Sequence, residues 1–458
     1  MKPLNLLFIQ TDQLSANALG YAGCPHVKTP HLDRLAERSI SFGKAVCAFP
    51  KCVPSRTALL YGRMPHELML PGTELDYDAK PGDPARGVRS VFKAQELGHW
   101  FSKAGYDCVY AGKWHVGQWG PTESLRPEYG SGFRALGPIN DPLVPQVCAD
   151  YFRQRDPHKP FLMVASFDNP HNICEYAWHD PLPWGNLPPA PGPSELPPYP
   201  GNGYRHPAEP AAIRQLQTAV ADRQGWQADD WRRYRWAYYR LVEKVDAEIG
   251  RLLAGLDAAG LTDSTAIVFT SDHGDMQGAH LLTQKDTLYE ESLRVPYLLS
   301  MPGESGGIVR DFLVNNALDT FPTLCALAGI EPPEGLRGVS LASSLPDRPY
   351  VASELKFRFG GGEARAVCSQ RFKYIAYDCG PNSEQLFDLQ TDPGEMTQLA
   401  ETPAFAEILA QHRAFLREEL LQTQDAFGRK LYTHPGRVAQ LPGDEWADSI
   451  ALPDFLQP

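Results

Sequence analysis

The chain has 458 residues, 43% hydrophobic and 21% charged, enough apolar content for one large domain with a smaller one appended and too much for wholesale disorder. Its 43 basic and 55 acidic residues give a net charge of −12 with no basic block, which disfavours nucleic acid and anionic membranes as partners. Nine cysteines, an odd number with no C-x-x-C pair, argue against a disulfide framework and a structural zinc site, and no apolar run is long enough to span a membrane.

The N-terminal run Leu4-Asn5-Leu6-Leu7-Phe8-Ile9 is too short for a signal-peptide core and has no small-residue cleavage site. It reads as a first strand that ends in Gln10-Thr11-Asp12. As written, the chain is expected in the cytoplasm; a trimmed leader would place it in the periplasm or outside the cell. A helix is expected over Pro30–Arg38 with Thr29 as its cap. A second begins near Cys52-Val53-Pro54-Ser55-Arg56, because proline suits a first helical turn. Cys52 then sits at the positive end of that helix, and Arg56 follows one turn later on the same side.

Further apolar runs also end in polar residues. Cys108–Tyr110 leads to Lys113 and His115, Phe161–Ala165 to Asp168 and His171, and Ala266–Phe269 to Asp272 and His273. Continuous rather than alternating runs indicate strands buried on both faces, as in a parallel sheet. The longest helical pattern, Trp231–Ala259, repeats apolar residues every three or four positions and closes on Gly260. Strands alternating with helices predict an α/β fold with a largely parallel central sheet flanked by helices. Ligands in such sheets collect at the carboxyl ends of the strands, where all of these polar residues fall.

From residue 180 to 210 the chain is dense in proline and reads as a stiff surface loop carrying Trp184, Tyr199 and Tyr204. Past Pro346 the texture changes. Tyr350–Ala352, Ala364–Ser369, Arg371–Tyr377 and Gln385–Phe387 read as short antiparallel strands, and Ala404–Leu421 as an amphipathic helix. The expected division is a catalytic part over 1–345 and a C-terminal α+β subdomain over 346–458, with a Pro/Gly/Asp-rich tail from about 425 wrapping the surface.

Asp12-Gln13 and Asp272-His273 each follow a strand and each offer a carboxylate, which suits a hard divalent cation with an oxygen-rich shell. Cys52-Val53-Pro54-Ser55-Arg56, with the Leu-rich turn and Gly62-Arg63 after it, is similar to the signature of the type I sulfatases of the alkaline phosphatase superfamily. The lead-in Thr29-Pro30-His31-Leu32-Asp33-Arg34-Leu35-Ala36 and the element Gly112-Lys113-Trp114-His115-Val116-Gly117 resemble that family too.

This resemblance implies an alkaline-phosphatase-like core and a sulfate monoester substrate, a sulfated small molecule or saccharide. It also implies conversion of Cys52 to formylglycine by a formylglycine-generating enzyme or an equivalent maturation system. Calcium is implied at Asp12, Gln13, Asp272 and His273 with an oxygen from modified Cys52. Many members carry two aspartates where this chain has Asp12-Gln13, and Asp-Asn where it has Asp272-His273, so the site loses a charge and softens. Calcium remains the expected ion, with magnesium, manganese or zinc as the other divalent choices.

The resemblance further implies that Lys113, Lys285 and Arg56 neutralise sulfate charge in the transition state. His171 donates a proton to the leaving alcohol, and His115 is the base that helps regenerate the aldehyde. If the Lys113–His115 segment is extended, both side chains point the same way. His280 is a weaker candidate. The rivals are a phosphonate or phosphate ester hydrolase of the same superfamily and a non-catalytic anion-binding protein in which Cys52 stays a thiol. Trp178, Trp184, Tyr199 and Tyr204 are the expected rim for a sugar, since aromatic faces suit sugar C–H surfaces and a stiff loop loses little entropy on binding.

Overall fold

A computed structural model describes residues 3–68, 90–116, 132–137, 139–357, 362–378 and 380–433. Its main sheet has eight strands in the order β4-β3-β5-β1-β6-β7-β2-β8. These are β1 (Asn5–Asp12), β2 (Ile40–Val46), β3 (Asp107–Gly112), β4 (Arg134–Gly137), β5 (Phe161–Pro170), β6 (Thr265–Ser271), β7 (Tyr297–Ser300) and β8 (Ile308–Asn315). All neighbours pair in parallel except β7, which runs antiparallel to both β6 and β2.

The strand period of two sorts β1 between two cores. Leu6 and Phe8 pack toward α2 (Cys52–Tyr61), α4 (Leu97–Lys103) and α10 (Asn316–Ala328). Leu7 and Ile9 pack toward α1 (Pro30–Glu37), α5 (Val144–Gln154), α6 (Ile173–Trp178) and α8 (Ala228–Ala258). Because both faces are covered, the central strands β1, β5 and β6 are buried along their whole length. Between these lie α3 (Pro65–Leu68), α7 (Ala211–Gln224) and α9 (Glu290–Leu293).

The expected long helix starts three residues early, at Ala228, where Gln227 and Asp230 form a reciprocal capping box. Thr29 is not a side-chain cap of α1. Its hydroxyl donates to Asp33 Oδ1 (2.9 Å) and accepts from Gly20 N (2.8 Å), so it ties the incoming loop to the helix instead.

The C-terminal strands β9 (Val351–Lys356), β10 (Glu363–Cys368), β11 (Phe372–Tyr377) and β12 (Glu384–Asp388) form an antiparallel sheet in the order β12-β11-β10-β9. α11 (Ala406–Thr423) packs on it, and α12 (Phe427–Thr433) takes the first part of the expected tail; the remainder lies outside the described residues. Among the described residues no helix is long and apolar enough to cross a membrane, and the described cysteines are all free.

A buried charge cluster joins α3 to this second sheet. His66 Nδ1 lies 3.1 Å from Glu354 Oε2 and 3.7 Å from Asp425 Oδ2, and Arg365 Nε donates to Asp425 Oδ2 at 2.6 Å. Burial opposes the imidazolium, but Asp425 and Glu354 outweigh it and raise the His66 pKa from 6.5 to about 9. A raised histidine pKa gives stability that is complete below the unfolded value and fades as pH rises through the folded one. The contribution is about 3 kcal/mol at most, from the size of the shift. The thermal midpoint of the wild type should therefore fall relative to that of His66→Gln between pH 6.5 and 9. Midpoints that run parallel across that window would remove the cluster's charge from the account.

Candidate active site

Parallel pairing brings the carboxyl ends of β1, β3, β5 and β6 to one edge of the sheet. Asp12 is the last residue of β1 and pairs in register with Pro170 at the end of β5. Lys113 and Asp272 directly follow β3 and β6, and His171 directly follows β5. Cys52 opens α2 from the opposite side, behind an extended Lys51 cap. Residues far apart in sequence, from Asp12 to Asp272, thus meet at one edge of the sheet.

The Cys52 thiol is 1% exposed. Lys285 Nζ donates to Sγ at 3.2 Å, His273 Nε2 lies at 3.3 Å, and the thiol donates to Asp12 Oδ1 at 3.6 Å. His115 also bonds to it. Burial and Asp12 push the thiol pKa up, but Lys285, Lys113 and His273 outweigh them and hold it well below the ordinary value. The position therefore favours an anion or a polar, electron-rich group.

Asp12, Cys52, Asp272 and His273 place their ligand-type atoms within 4.8 Å of one another. His273 Nδ1 donates to Gly274 O at 3.0 Å, which turns Nε2 toward the cluster as the electron-pair end of the neutral ring. Asp272 Oδ1 accepts from the backbone N–H groups of Gln13 (3.0 Å) and His273 (2.8 Å). Gln13 turns there through a left-handed φ of 70°, a costly backbone for a non-glycine residue. Burial and the neighbouring Asp12 raise Asp272 to about 6. Asp12 is also driven up by burial, yet Lys113 and Arg56 outweigh that and hold it well below the carboxylate range. Two close carboxylates, an imidazole with its free end inward and an amide oxygen are a donor set that fits a divalent cation.

Arg56 does not face an open anion site. Nε donates to Asp272 Oδ2 (2.8 Å), NH2 to Asp12 Oδ2 (3.0 Å), and NH1 to Ser166 Oγ (2.8 Å) and Lys113 O (3.2 Å). Every guanidinium nitrogen is engaged by the protein, and two of the three meet the carboxylate pair. Lys113 Nζ sits 2.7 Å from both Asp12 Oδ2 and Asp168 Oδ1. Its backbone N–H reaches Ser166 O at 2.9 Å, an approach that requires Gly112, where a Cβ would stand 1.9 Å from that oxygen.

The Lys113–His115 segment is not extended. β3 stops at Gly112 and His115 has φ 45°. Both side chains reach the sulfur neighbourhood by this turn rather than by strand alternation, and Gly117 lies outside the described residues. Burial, with Lys113, lowers the His115 pKa against the opposing hydrogen bond to Cys52. His171 lies with Nδ1 4.0 Å from Asp168 Oδ1 and is partly open to solvent. His280 is separate: it is buried, stacks on Tyr289 with ring centroids 3.9 Å apart, and meets Glu209 at 3.3 Å.

The proline-rich loop is pinned to the body. Arg232 donates to the carbonyls of Pro193, Leu196 and Pro197, and Lys244 to those of Trp184 and Gly185. Asn202 bridges to Glu291 and Gly394 and accepts from His280 N, which places the loop against the segment that carries Lys285. Trp178 lies under Arg223, 5.1 Å from the ring centroid, whereas Tyr204 is 52% exposed.

Sequence reasoning missed the residues behind the site. Tyr234 and Tyr238 read as part of an apolar helix stripe, yet the Tyr238 hydroxyl donates to Gln13 O (2.7 Å) and that of Tyr234 to Asp275 Oδ2 (2.9 Å). Asp275 stands only two residues past His273, and that proximity was the available signal.

Comparison with known proteins matches residues 4–330 to the family model described as Sulfatase, and residues 278–425 to one described as N-sulphoglucosamine sulphohydrolase, C-terminal. The chain is 30% identical over 454 residues to a Delta 4,5-hexuronate-2-O-sulfatase of Bacteroides thetaiotaomicron, covering 92% of this chain and 90% of that one. It is 30% identical over 474 residues to an ulvan-active sulfatase of Formosa agariphila, covering 93% and 83%. A solved structure of a 2-O GAG sulfatase superposes with a TM-score of 0.79 at 27% identity, covering 98% of this chain and all of that one.

Proposed function

Since the chain belongs to the sulfatase family, we propose that it releases sulfate from a sulfated carbohydrate, with a formylglycine made from Cys52 and a divalent cation, calcium first among the candidates. It is an enzyme, a sulfuric ester hydrolase, with an alkaline-phosphatase-like α/β core. The observation that carries the finer reading is the Cys52 sulfur at the start of α2, with Lys285 at 3.2 Å and His273 at 3.3 Å. A maturation enzyme that converts Cys52 is the implied partner.

Asp12, Gln13, Asp272 and His273 would hold the cation, which supplies Lewis-acid neutralisation of a bound sulfate. The formylglycine supplies a hydrated aldehyde as nucleophile. Lys285 and Lys113 contribute positive charge beside the sulfur position, where a sulfate's oxygens would come. Arg56 holds Asp12 and Asp272 in place and exposes no nitrogen of its own. His115, its pKa lowered by burial, can take a proton from a hydroxyl at position 52. His171, at the partly open side, can give a proton to the departing alcohol.

The sugar reading is supported by the saccharide named for the first relative and by the loop fixed beside the Lys285 segment. The test is sulfate release from a panel of defined sulfated saccharides, with an aryl sulfate and an aryl phosphonate alongside. A sulfated saccharide should be the best substrate. Replacing Trp178, Trp184, Tyr199 or Tyr204 singly should, for at least one of them, impair that saccharide roughly tenfold more than the aryl sulfate, about 1.4 kcal/mol of selective contact. Tyr204 is the first choice because its ring is the most open. Equal effects on both substrates would take the loop out of recognition, and preference for the phosphonate would overturn the reaction assigned.

A further inference from the structure

We propose that Asp275 is a positioning residue: it fixes which way round the Gln13 amide stands and so presents the Gln13 carbonyl oxygen to the cation pocket. This rests on the reading of Asp12, Gln13, Asp272 and His273 as cation ligands. A glutamine ligates a hard cation only through its oxygen, and its amide is nearly symmetric in shape, so something must select the orientation.

The two ends of the amide meet opposite charges. Gln13 Nε2 donates to Asp275 Oδ2 at 2.7 Å, and Oε1 accepts from Lys285 Nζ at 2.6 Å. Reversal would set a carbonyl against a carboxylate and an NH2 against an ammonium. Gln13 and Asp275 are both 0% exposed, so neither clash could be relieved by water. Asp275 is itself anchored. Its Oδ1 accepts from Gln277 N at 2.7 Å and its Oδ2 from the Tyr234 hydroxyl at 2.9 Å, while its backbone N–H donates to Ser15 Oγ at 2.8 Å. Lys285, with the Cys174 thiol 3.6 Å from the same oxygen, does not impose the orientation on a metal-loaded site, because a cation there competes for that oxygen. The carboxylate of Asp275 does, from the far end of the amide.

Asparagine at 275 has one carbonyl for three donors, the Gln277 N–H, the Gln13 amide and the Tyr234 hydroxyl, of which the hydroxyl can turn and accept instead. The backbone N–H of Gln277 is local and rigid and keeps it. The new NH2 then faces Gln13, whose amide must turn its own NH2 toward the cation pocket. Asp275→Asn should therefore weaken calcium binding by the full-length protein about 10- to 100-fold, the usual effect of losing an outer-shell partner. A glutamate at 13 has an oxygen at either end and needs no such selection. In the Gln13→Glu background the same Asp275→Asn change should strengthen calcium binding, because it removes a facing carboxylate and supplies a donor. A residue needed only for folding would not give this reversal of sign.

The experiment is calorimetric titration with calcium chloride, with the calcium-dependent thermal shift as a second readout, on wild type, Asp275→Asn, Gln13→Glu and the double variant. Asp12→Asn serves as the control on the ligand reading. Weaker binding in Asp275→Asn together with recovery in the double variant supports the proposal. If Asp275→Asn alone does not fold, the comparison of Gln13→Glu with the double variant decides by itself. Wild-type affinity in Asp275→Asn, or a double variant weaker than Gln13→Glu, overturns the role of Asp275. If Asp12→Asn is impaired in that same experiment, the cation reading stands. A wild type that binds no calcium overturns both.

Discussion

Replacing Cys52 with alanine should reduce sulfate release to background, a loss of about four orders of magnitude or more, as expected when a covalent nucleophile is removed. The fold should survive. The side chain is small and buried, its exchange for alanine removes a single atom, and the surrounding contacts converge on the sulfur rather than depend on it. The thermal midpoint should move by no more than a large-to-small core change costs, about 1 kcal/mol or less for one small atom. Two measurements check the claim together. Sulfate release reports the chemistry, and the mass of the peptide that spans residue 52 reports whether active wild type carries an aldehyde where the gene encodes a thiol. Substantial turnover by the alanine variant would place the nucleophile elsewhere. Full activity in a wild type whose Cys52 is still a thiol would contradict the formylglycine while leaving the reaction class intact.

Much of this site was legible in sequence because of one topological fact. Apolar runs without alternation imply a parallel sheet, and a parallel sheet gathers whatever follows its strands. Asp12, Lys113, His171 and Asp272 could be brought to one edge on that ground alone, and Cys52 on the ground that proline and serine open a helix. What sequence could not supply was direction. Arg56 stands one helical turn from Cys52 whether its guanidinium meets a substrate or a pair of aspartates, and only the packed structure shows Asp12 and Asp272 taking it. Tyr234 and Tyr238 have the helical spacing of core residues, and they are core residues; their hydroxyl tips reach Asp275 and Gln13 because an aromatic ring can be buried while its polar end finds a partner. Strand β7 is four residues long, too short for its pattern to reveal that it runs against β6 and β2. Thr29 had the right identity for a helix cap, but Gly20 and Asp33 engage its hydroxyl first.

Arg56→Met should give the second-largest effect, and it separates the two roles open to this side chain. Methionine keeps the length and loses the charge. Asp12 Oδ2 would still have Lys113 at 2.7 Å, but Asp272 Oδ2 would lose the guanidinium that now sits 2.8 Å away. Two buried carboxylates would then share one cation, in a place where burial and mutual repulsion already raise Asp272 to about 6. Breaking a buried ion pair from one side costs about 3–5 kcal/mol, so the protein without calcium should unfold at a clearly lower temperature than wild type. Activity should fall at least about 100-fold as the carboxylates lose their alignment. Arg56→Lys should recover little of either. A single ammonium cannot span Asp12, Asp272 and Ser166 as the fork of Arg56 does. Added calcium distinguishes the roles. If Arg56 compensates the carboxylates, a cation bound between them substitutes for the missing charge, and saturating calcium restores stability by about 2.7 kcal/mol at a hundredfold excess over its Kd. Stability would then return with calcium while turnover stays low. An Arg56→Met protein as stable as wild type in the absence of calcium, with its loss confined to substrate affinity, would show instead that the guanidinium serves the sulfate.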